Sequence, residues 1–501
     1  MKKILALLML VTMMFSVACS PQEKEAGTKD VEKNEEENTT KEEGESKDVE
    51  KTTSEEPVVL RMAMKDLSPS NETHQAYIKR IEDGLADKGI YVDLEVIEMA
   101  QGNYAENLGL MLLGGDVPDI IYFQGGDEQM ANQGLLEDLT PYIEKSDVIS
   151  SSLLDYQKER VANYPYLLWI KPIASKVPVV RTDFFEGMET GEALMADPTI
   201  DNYYNFFKEM AEKNTKYAFT VPGTLLEIDT IFDNAFGVTG TWVDVDGQYV
   251  YGRITDMEKN KLEFYAKLYK EGLLDPEYLT KAWDTKEQVF YTNEVGVISG
   301  TSGKVIDIYD GNMIKANGEE SRLTVLPPAK GVSQGYNPIS VIKETRGVAI
   351  SSVSEHKDLA WEVIDFLASY EGQYIDRLGF EGEQYNIVDG KIELTEASNN
   401  WFAFFFEIPD WEPKEGLVKP LLGPSAMESL AMAAKYYVPD TNVAIPADYA
   451  PQLDAINNLY NEFSADVITG KRAISEWDNF VSDWYAQGGE AITEYVNSEM
   501  K

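Results

Sequence analysis

The sequence predicts an α/β protein with a largely parallel sheet and more than one hydrophobic core. Three observations predict it. Residues 112–123 read Leu-Leu-Gly-Gly-Asp-Val-Pro-Asp-Ile-Ile-Tyr-Phe. A helix over 104–113 is stopped by Gly114 and Gly115, Pro118 fixes a tight entry, and Ile120 opens an apolar, β-prone run. Such a strand behind a helix suits a parallel sheet covered on both faces. Ligands of such sheets sit beyond the strands' C-terminal ends, here Phe123, Gln124, Gly125, Gly126 and Asp127. Upstream, alternation over 58–64, a helical period over 75–88 and renewed alternation over 91–97 spell a βαβ unit. Finally, residues 57–501 are more chain than one core usually organises.

Taken in order, the 501-residue chain begins with Lys2, Lys3 and an apolar run to Val17. That run is too short and wrongly flanked for a membrane span and reads as a secretion signal, residues 1–18. The single cysteine, Cys19, follows Ser16-Val17-Ala18, which resembles the lipobox of bacterial lipoproteins, with serine where leucine is commoner. On that reading Cys19 becomes a diacylated, palmitate-bearing N-terminus, a two-chain anchor that holds stably to a membrane; the alternative is an ordinary signal cleaved nearby. One cysteine permits no internal disulfide, so stability must come from burial. Residues 19–56 are rich in Glu, Lys, Thr and Asp, a composition that stays disordered and forms a tether reaching on the order of 35 Å. The net charge of −43 repels nucleic acid and anionic lipid, and no basic stripe with interleaved aromatics offsets it.

Beyond 123, residues 164–169 and 177–183 are β-prone, and 200–214 is a helix with Phe206, Phe207 and Met210 inward. Residues 242–251 form a hairpin turning at Asp246-Gly247; the acidic spacing and twelfth-position Glu of an EF-hand are missing. A helix over 257–272 is followed by an apolar strand at 295–302 ending in Thr301 and Ser302, then strands at 323–330 and 348–351. Ser354 caps a helix carrying Leu359, Trp361, Val363, Ile364 and Leu367, and Asp389-Gly390 turns a second hairpin.

Six of these pieces, in this order, carry a resemblance. They are 115–123 (Gly-Asp-Val-Pro-Asp-Ile-Ile-Tyr-Phe), 133–142 (Gln-Gly-Leu-Leu-Glu-Asp-Leu-Thr-Pro-Tyr), 179–185 (Val-Val-Arg-Thr-Asp-Phe-Phe), 273–276 (Leu-Leu-Asp-Pro), 379–385 (Gly-Phe-Glu-Gly-Glu-Gln-Tyr) and 468–477 (Ile-Thr-Gly-Lys-Arg-Ala-Ile-Ser-Glu-Trp). Together they resemble the bacterial extracellular solute-binding proteins of ABC importers, the maltose-binding-protein-like family in its long Gram-positive lipoprotein branch. The resemblance implies a two-lobe periplasmic-binding-protein-like fold of type II, each lobe a mixed sheet flanked by helices, joined by a hinge. It also implies that 57–175 plus 300–350 form the N-terminal lobe and 176–299 plus 351–501 the C-terminal lobe, the strand at 295–302 returning to the first lobe. Ligand between the lobes, permease subunits as partners, a monomer, and a place on the outer face of a Gram-positive cytoplasmic membrane follow from the same source.

Chemistry for catalysis is not apparent. His74 and His356 are the only histidines, far apart and in polar segments, and no zinc spacing, nucleophile elbow or phosphate-cradling loop occurs. With 87 acidic residues, some carboxylate pair is always available, so that signal is uninformative. No enzyme, no metal and no cofactor is the expectation. Aromatic residues are the positive sign. Sugars rest C–H faces on Trp or Tyr rings while their hydroxyls meet carboxylates, amides and cations. Trp169, Trp242, Trp283, Trp401 and Trp411 fall in loops or at element ends and are candidates to face ligand, with simple packing the alternative; Trp361, Trp477 and Trp484 sit at helical spacing and belong to cores. Residues 399–406, with Asn400 beside Trp401, form either a cleft wall or a buried strand. The resemblance places Phe123, Gln124 and Asp127, with the loop of Lys65, Asp66 and Ser68, at the ligand edge of the first sheet. It also places Thr301 and Ser302 where a stacking Trp lies in the maltose-specific member, which argues for a different sugar. The expected function is capture of an oligosaccharide by a lipid-anchored protein for an importer; a surface carbohydrate-active enzyme, or a binder of a peptide or other non-sugar solute, stays open as the alternative.

Overall fold

The computed structural model describes residues 56–99 and 104–500. The signal, Cys19 and the tether up to residue 55 lie outside the described residues. No helix among the described residues is long and apolar enough to cross a membrane.

The first lobe is built on a four-stranded sheet in the order β2-β1-β3-β10: β1 (Val58–Ala63), β2 (Val92–Val96), β3 (Ile120–Gln124) and β10 (Arg346–Ile350). The first three run parallel, Leu60 facing Leu94 and Met62 facing Ile120, while β10 runs antiparallel to β3 with Val348 opposite Tyr122. The helix Glu72–Ala86 crosses from β1 to β2 and buries Tyr77, Ile78, Ile81 and Leu85, one stripe of a 3.6-residue period. Asn71 caps it, its side chain accepting from the backbone N–H of Thr73 and His74. The helix Tyr104–Leu113 ends at Gly114, and Gly115 takes a positive φ of 84°. Its Tyr104 hydroxyl donates to the carbonyl of Tyr122 at 2.7 Å, pinning the helix to β3.

The second lobe carries its own sheet, order β5-β8-β4-β9: β4 (Lys176–Arg181), β5 (Tyr217–Phe219), β8 (Val295–Thr301) and β9 (Leu323–Val325). β4 pairs antiparallel with β8 on one side and β9 on the other. Phe206, Phe207, Phe219 and Phe232 pack with Phe463, Trp477, Phe480 and Trp484 from the C-terminal helices; the Phe463 and Phe480 rings stack at 4.3 Å. The hairpin of β6 (Trp242–Val245) and β7 (Gln248–Tyr251) turns through Asp246 and Gly247, both at positive φ, as a two-residue hairpin requires. A second hairpin, β11 (Tyr385–Val388) with β12 (Lys391–Leu394), turns at Asp389-Gly390 in the same way.

Two expectations need correction. The lobe boundaries shift, because β8 stays in the second sheet, Ile298 lying opposite Val179, and β9 stays there too. Conversely, the helices Lys357–Ala368 and Tyr370–Leu378 belong to the first lobe, where Trp361, Phe366, Leu367 and Ile375 join the core of Leu60 and Ile81. The first lobe thus comprises 58–169 and 346–421, the second 176–336 and 424–500. An apolar strand announces itself locally, but its partner is a long-range choice that local pattern does not carry. Residues 399–406 contain no strand either. After the turn Glu396–Asn400 the chain runs irregularly across the first core, with Phe405 and Phe406 buried.

Candidate functional site

Three segments cross between the lobes: 170–175, 337–345 and 422–423. Where they meet, a cavity of about 590 Å³ opens between the two lobes. Trp169 and Phe402 from the first lobe, Leu226, Thr301 and Ser302 from the second, and Lys171, Ser340, Glu344 and Arg346 at or beside the crossings line it.

Trp169 is the central feature. Gln157, on the helix Asp155–Asn163, donates its side-chain amide to the carbonyls of both Trp169 and Lys171 at 3.0 Å, and the Tyr156 hydroxyl donates to Lys171 at 2.8 Å. The half-buried indole is thereby fixed, with Lys171 Nζ 4.7 Å and the Arg346 guanidinium 5.6 Å from its ring centroid. Both cations lie within reach of the electron-rich face.

Paired charges tie the crossings to the first lobe. Lys171 binds Glu407 at 2.7 Å, joining the first crossing to the first-lobe segment that follows Phe406. Arg160 binds Glu344 at 3.1 Å and donates to the Ser340 carbonyl, locking the second crossing to the first lobe. Burial pushes the Glu407 carboxyl up, but Lys171, Arg377 and Lys304 outweigh burial, so it lies below the ordinary carboxylate range and is ionised. Among the described residues Arg346 contacts Glu344 through Nε alone at 3.4 Å, and its two terminal nitrogens have no acceptor there at the cavity wall. Ser302 reinforces the hinge: its N–H donates to the Ser175 carbonyl, and its Oγ accepts from the Ser175 N–H. The site therefore combines one fixed indole with planar carboxylate and guanidinium groups, suited to hydroxyl-rich rings. Among the described residues no group of three or more His, Cys, Asp or Glu is placed to hold a metal ion.

The structure sorts the candidates. Trp169 and Ser302 line the cavity, as does Thr301. Phe123 is 1% exposed in the first core and Trp242 2% exposed in the second, where it packs on Tyr251; neither has a face for a ligand, because each side chain turns inward from its strand. Trp401 is also enclosed, its indole N–H donating to the Asp376 carbonyl at 2.8 Å, and it reaches only a small pocket of about 90 Å³ beside the cleft. From that segment Phe402, 46% exposed, enters the cavity instead, while Asn400 is exposed and does not line it. Asp127 is fully buried: its Oδ2 accepts from the Tyr164 hydroxyl at 2.6 Å and pairs with Lys343 of the second crossing, so it positions the wall from behind. Gln124 sits opposite Arg346 in the sheet, outside the cavity. Lys65 and Asp66 pair with each other at 3.9 Å, away from it. Trp283 is half-exposed at the start of the helix Trp283–Tyr291, stacked by Lys176 at 4.2 Å and Lys286 at 3.7 Å, and does not line the cavity. Trp411 packs on Tyr370 in the first lobe. Arg160, Lys171, Glu344, Arg346 and Glu407 were invisible to sequence reasoning. Lys171 and Glu344 lie in crossing segments without period, the others are single polar residues in or beside ordinary elements, and the one local sign was an aromatic residue two positions before Lys171.

Comparison with known proteins agrees with this architecture. Residues 71–374 match the family model described as bacterial extracellular solute-binding protein. Lipoprotein LipO of Bacillus subtilis (strain 168) is 20% identical over 443 residues, covering 81% of this chain and 86% of LipO. Among solved structures, the alginate-binding protein AlgQ2 superimposes with a TM-score of 0.64 at 17% identity, covering 88% of this chain and 98% of AlgQ2. FusA of S. pneumoniae in complex with kestose gives 0.63 at 18%, covering 89% and 98%. The two-lobe α/β fold with its interlobe cleft and the match over more than half its length lead to one conclusion: this chain belongs to the family of bacterial extracellular solute-binding proteins, extracytoplasmic and non-enzymatic binding components of ABC transporters.

Proposed function

We propose that the chain captures an oligosaccharide between its lobes and delivers it to the permease of an ABC importer, held at the membrane by a lipid anchor on Cys19. The observation that carries this reading is the Trp169 indole, fixed at the cavity wall and flanked by Lys171, Arg346, Glu344 and Glu407. A sugar ring stacks on the indole while its hydroxyls bridge carboxylate and guanidinium. The cavity volume is within the ordinary range for small-ligand sites. The bound structures of FusA with kestose and of NgtS with Man5GlcNAc are supporting precedents in the same fold. Ligand touching both lobes favours the closed arrangement, and closure is the signal that the permease reads.

Isothermal titration against a panel of plant and microbial oligosaccharides, followed through tryptophan fluorescence, tests the reading. At least one glycan binds, and Trp169→Ala weakens it by roughly 30-fold, the equivalent of losing a buried aromatic anchor worth about 2 kcal/mol. Absence of any response across the panel refutes it. The anchor is tested separately: Cys19→Ser releases the protein into the medium, whereas retention on the cells rejects lipidation at this residue.

A further inference from the structure

The interlobe cavity does not end at the crossings. Leu226, half-exposed at the start of the helix Leu226–Phe236, lines it and also lines two further cavities on the second lobe, one of about 240 Å³ and one of about 450 Å³. Pro338 is shared by the cleft and the smaller of these, and Tyr251 and Arg253 are shared by the smaller and the larger. The three spaces follow one another along the second lobe, with Leu226 as the sill between them.

We infer that the larger side cavity is a distal saccharide subsite, so that the natural ligand is a chain longer than the cleft alone holds. This deepens the proposed function and rests on it. Tyr278 lines the cavity, is 1% exposed, and its hydroxyl has no hydrogen-bond partner among the described residues. A buried phenol without a partner is costly and rare, and a ligand hydroxyl supplies what it lacks. In the connecting cavity the Asn337 side-chain oxygen is likewise buried without a donor. Asn457 and Asn461, which line the same cavity, stand one helical turn apart on the helix Ala450–Ile468, and both are exposed. Asn457 accepts from the Tyr251 hydroxyl through Oδ1, leaving its two amide hydrogens to point elsewhere.

The charge of the floor favours a neutral sugar unit over an acidic one. Arg253, which borders the cavity, is already committed to Asp229 at 3.0 Å, Asp233 at 3.4 Å and Glu258 at 3.2 Å. Lys261 sits beneath, bound to the same three carboxylates. Three carboxylates against two cations leave no positive charge free for an anion. What remains are amides, a phenol and an aliphatic sill, the groups that meet hydroxyls and C–H faces.

The test is a chain-length series. Wild type, Asn461→Trp, Tyr278→Phe and Trp169→Ala are titrated with linear inulin-type, malto-, xylo- and manno-oligosaccharides of two to seven residues. Asn461 is exposed on a helix, so the tryptophan fills the cavity without disturbing a core, and Tyr278→Phe removes one oxygen only. In a series that binds, Asn461→Trp weakens the longest member at least tenfold and leaves the shortest binder within twofold; Tyr278→Phe weakens the long member alone by severalfold; Trp169→Ala weakens both. Equal affinity of the Asn461→Trp protein and wild type for every length overturns the subsite while Trp169→Ala still upholds the cleft. Failure of every series to bind wild type overturns the cleft reading and the subsite with it.

Discussion

Asp376 sets the shape of the segment that brings Phe402 and Glu407 to the cleft, and removing it gives the sharpest test of how this lobe is held. Its carboxylate is fully buried on the helix Tyr370–Leu378 and forms no ion pair among the described residues. Instead it accepts from the Tyr77 hydroxyl at 2.7 Å and from the backbone N–H groups of Phe404, Phe405 and Phe406 at 2.8, 3.1 and 3.3 Å. Residues 404–406 have no strand partner to satisfy those donors, so the aspartate replaces a sheet ladder. In Asp376→Asn the retained oxygen still serves Phe405 and Phe406, but the new NH2 faces the N–H of Phe404, and one orphaned donor costs about 1–3 kcal/mol. In Asp376→Ala all four donors lose their acceptor and a void opens, for a loss of at least about 4 kcal/mol. For a cooperative unit the size of one lobe each kcal/mol lowers Tm by about 2–4 °C, so the alanine variant melts roughly 8–16 °C early and the asparagine variant a few degrees early. Differential scanning calorimetry with urea unfolding gives both numbers. If the two variants lie within about 0.5 kcal/mol of each other, the carboxylate is not satisfying several donors.

Three further outcomes follow from buried groups. Lys286 is enclosed with Glu227, binding it at 2.9 and 3.0 Å and donating to the Ser299 carbonyl at 2.9 Å; Lys286→Met leaves the buried carboxylate only the more distant Lys176 at 3.7 Å and costs about 3 kcal/mol, most of it recovered in the Glu227→Gln double variant, as denaturant titration of the set will show. Burial lowers the Lys176 ammonium to about 8, against the pull of Glu227. Between about pH 8 and 10.5 the unfolded chain then holds a proton that the folded protein has released, so stability rises with pH across that window. Because Lys176 sits over Trp283, the fluorescence difference between wild type and Trp283→Phe titrates near pH 8, and a flat difference between pH 6.5 and 9.5 counts against it. A Cβ on Gly372 lies 2.1 Å from the Phe366 carbonyl oxygen and 2.6 Å from Leu367 Cα, backbone that cannot step aside; Gly372→Ala forces two first-lobe helices apart and costs about 1–3 kcal/mol by thermal melting.

Much of the fold was legible because its signals are local. Tyr77, Ile78, Ile81 and Leu85 fall at helical spacing, Gly114 and Gly115 end a helix, and Asp246-Gly247 and Asp389-Gly390 adopt the positive φ that two-residue hairpins need. Trp361, Trp477 and Trp484 were readable as core for the same reason. At the site only Trp169, Thr301 and Ser302 among the expected residues reached the cavity wall. Phe123 and Trp242 failed because an aromatic residue near a strand end looks the same whether it turns toward solvent or inward; only the register against Gly347 and Tyr251 decides.

By itself the sequence determined the α/β class, the positions of most strands and helices, the two hairpins and, through ordered short motifs, the solute-binding family. Tertiary structure alone decided which strands share a sheet, and hence where one lobe ends and the next begins. It also decided the composition of the cleft, because the groups that face one another there are far apart along the chain: Lys171 and Glu407 are separated by 236 positions, and Arg160 and Glu344 by 184. Periodicity reports what a residue does within one turn or one pleat. A charge pair at a hinge depends on how a crossing segment is laid against a distant part of the lobe, and no local pattern encodes that.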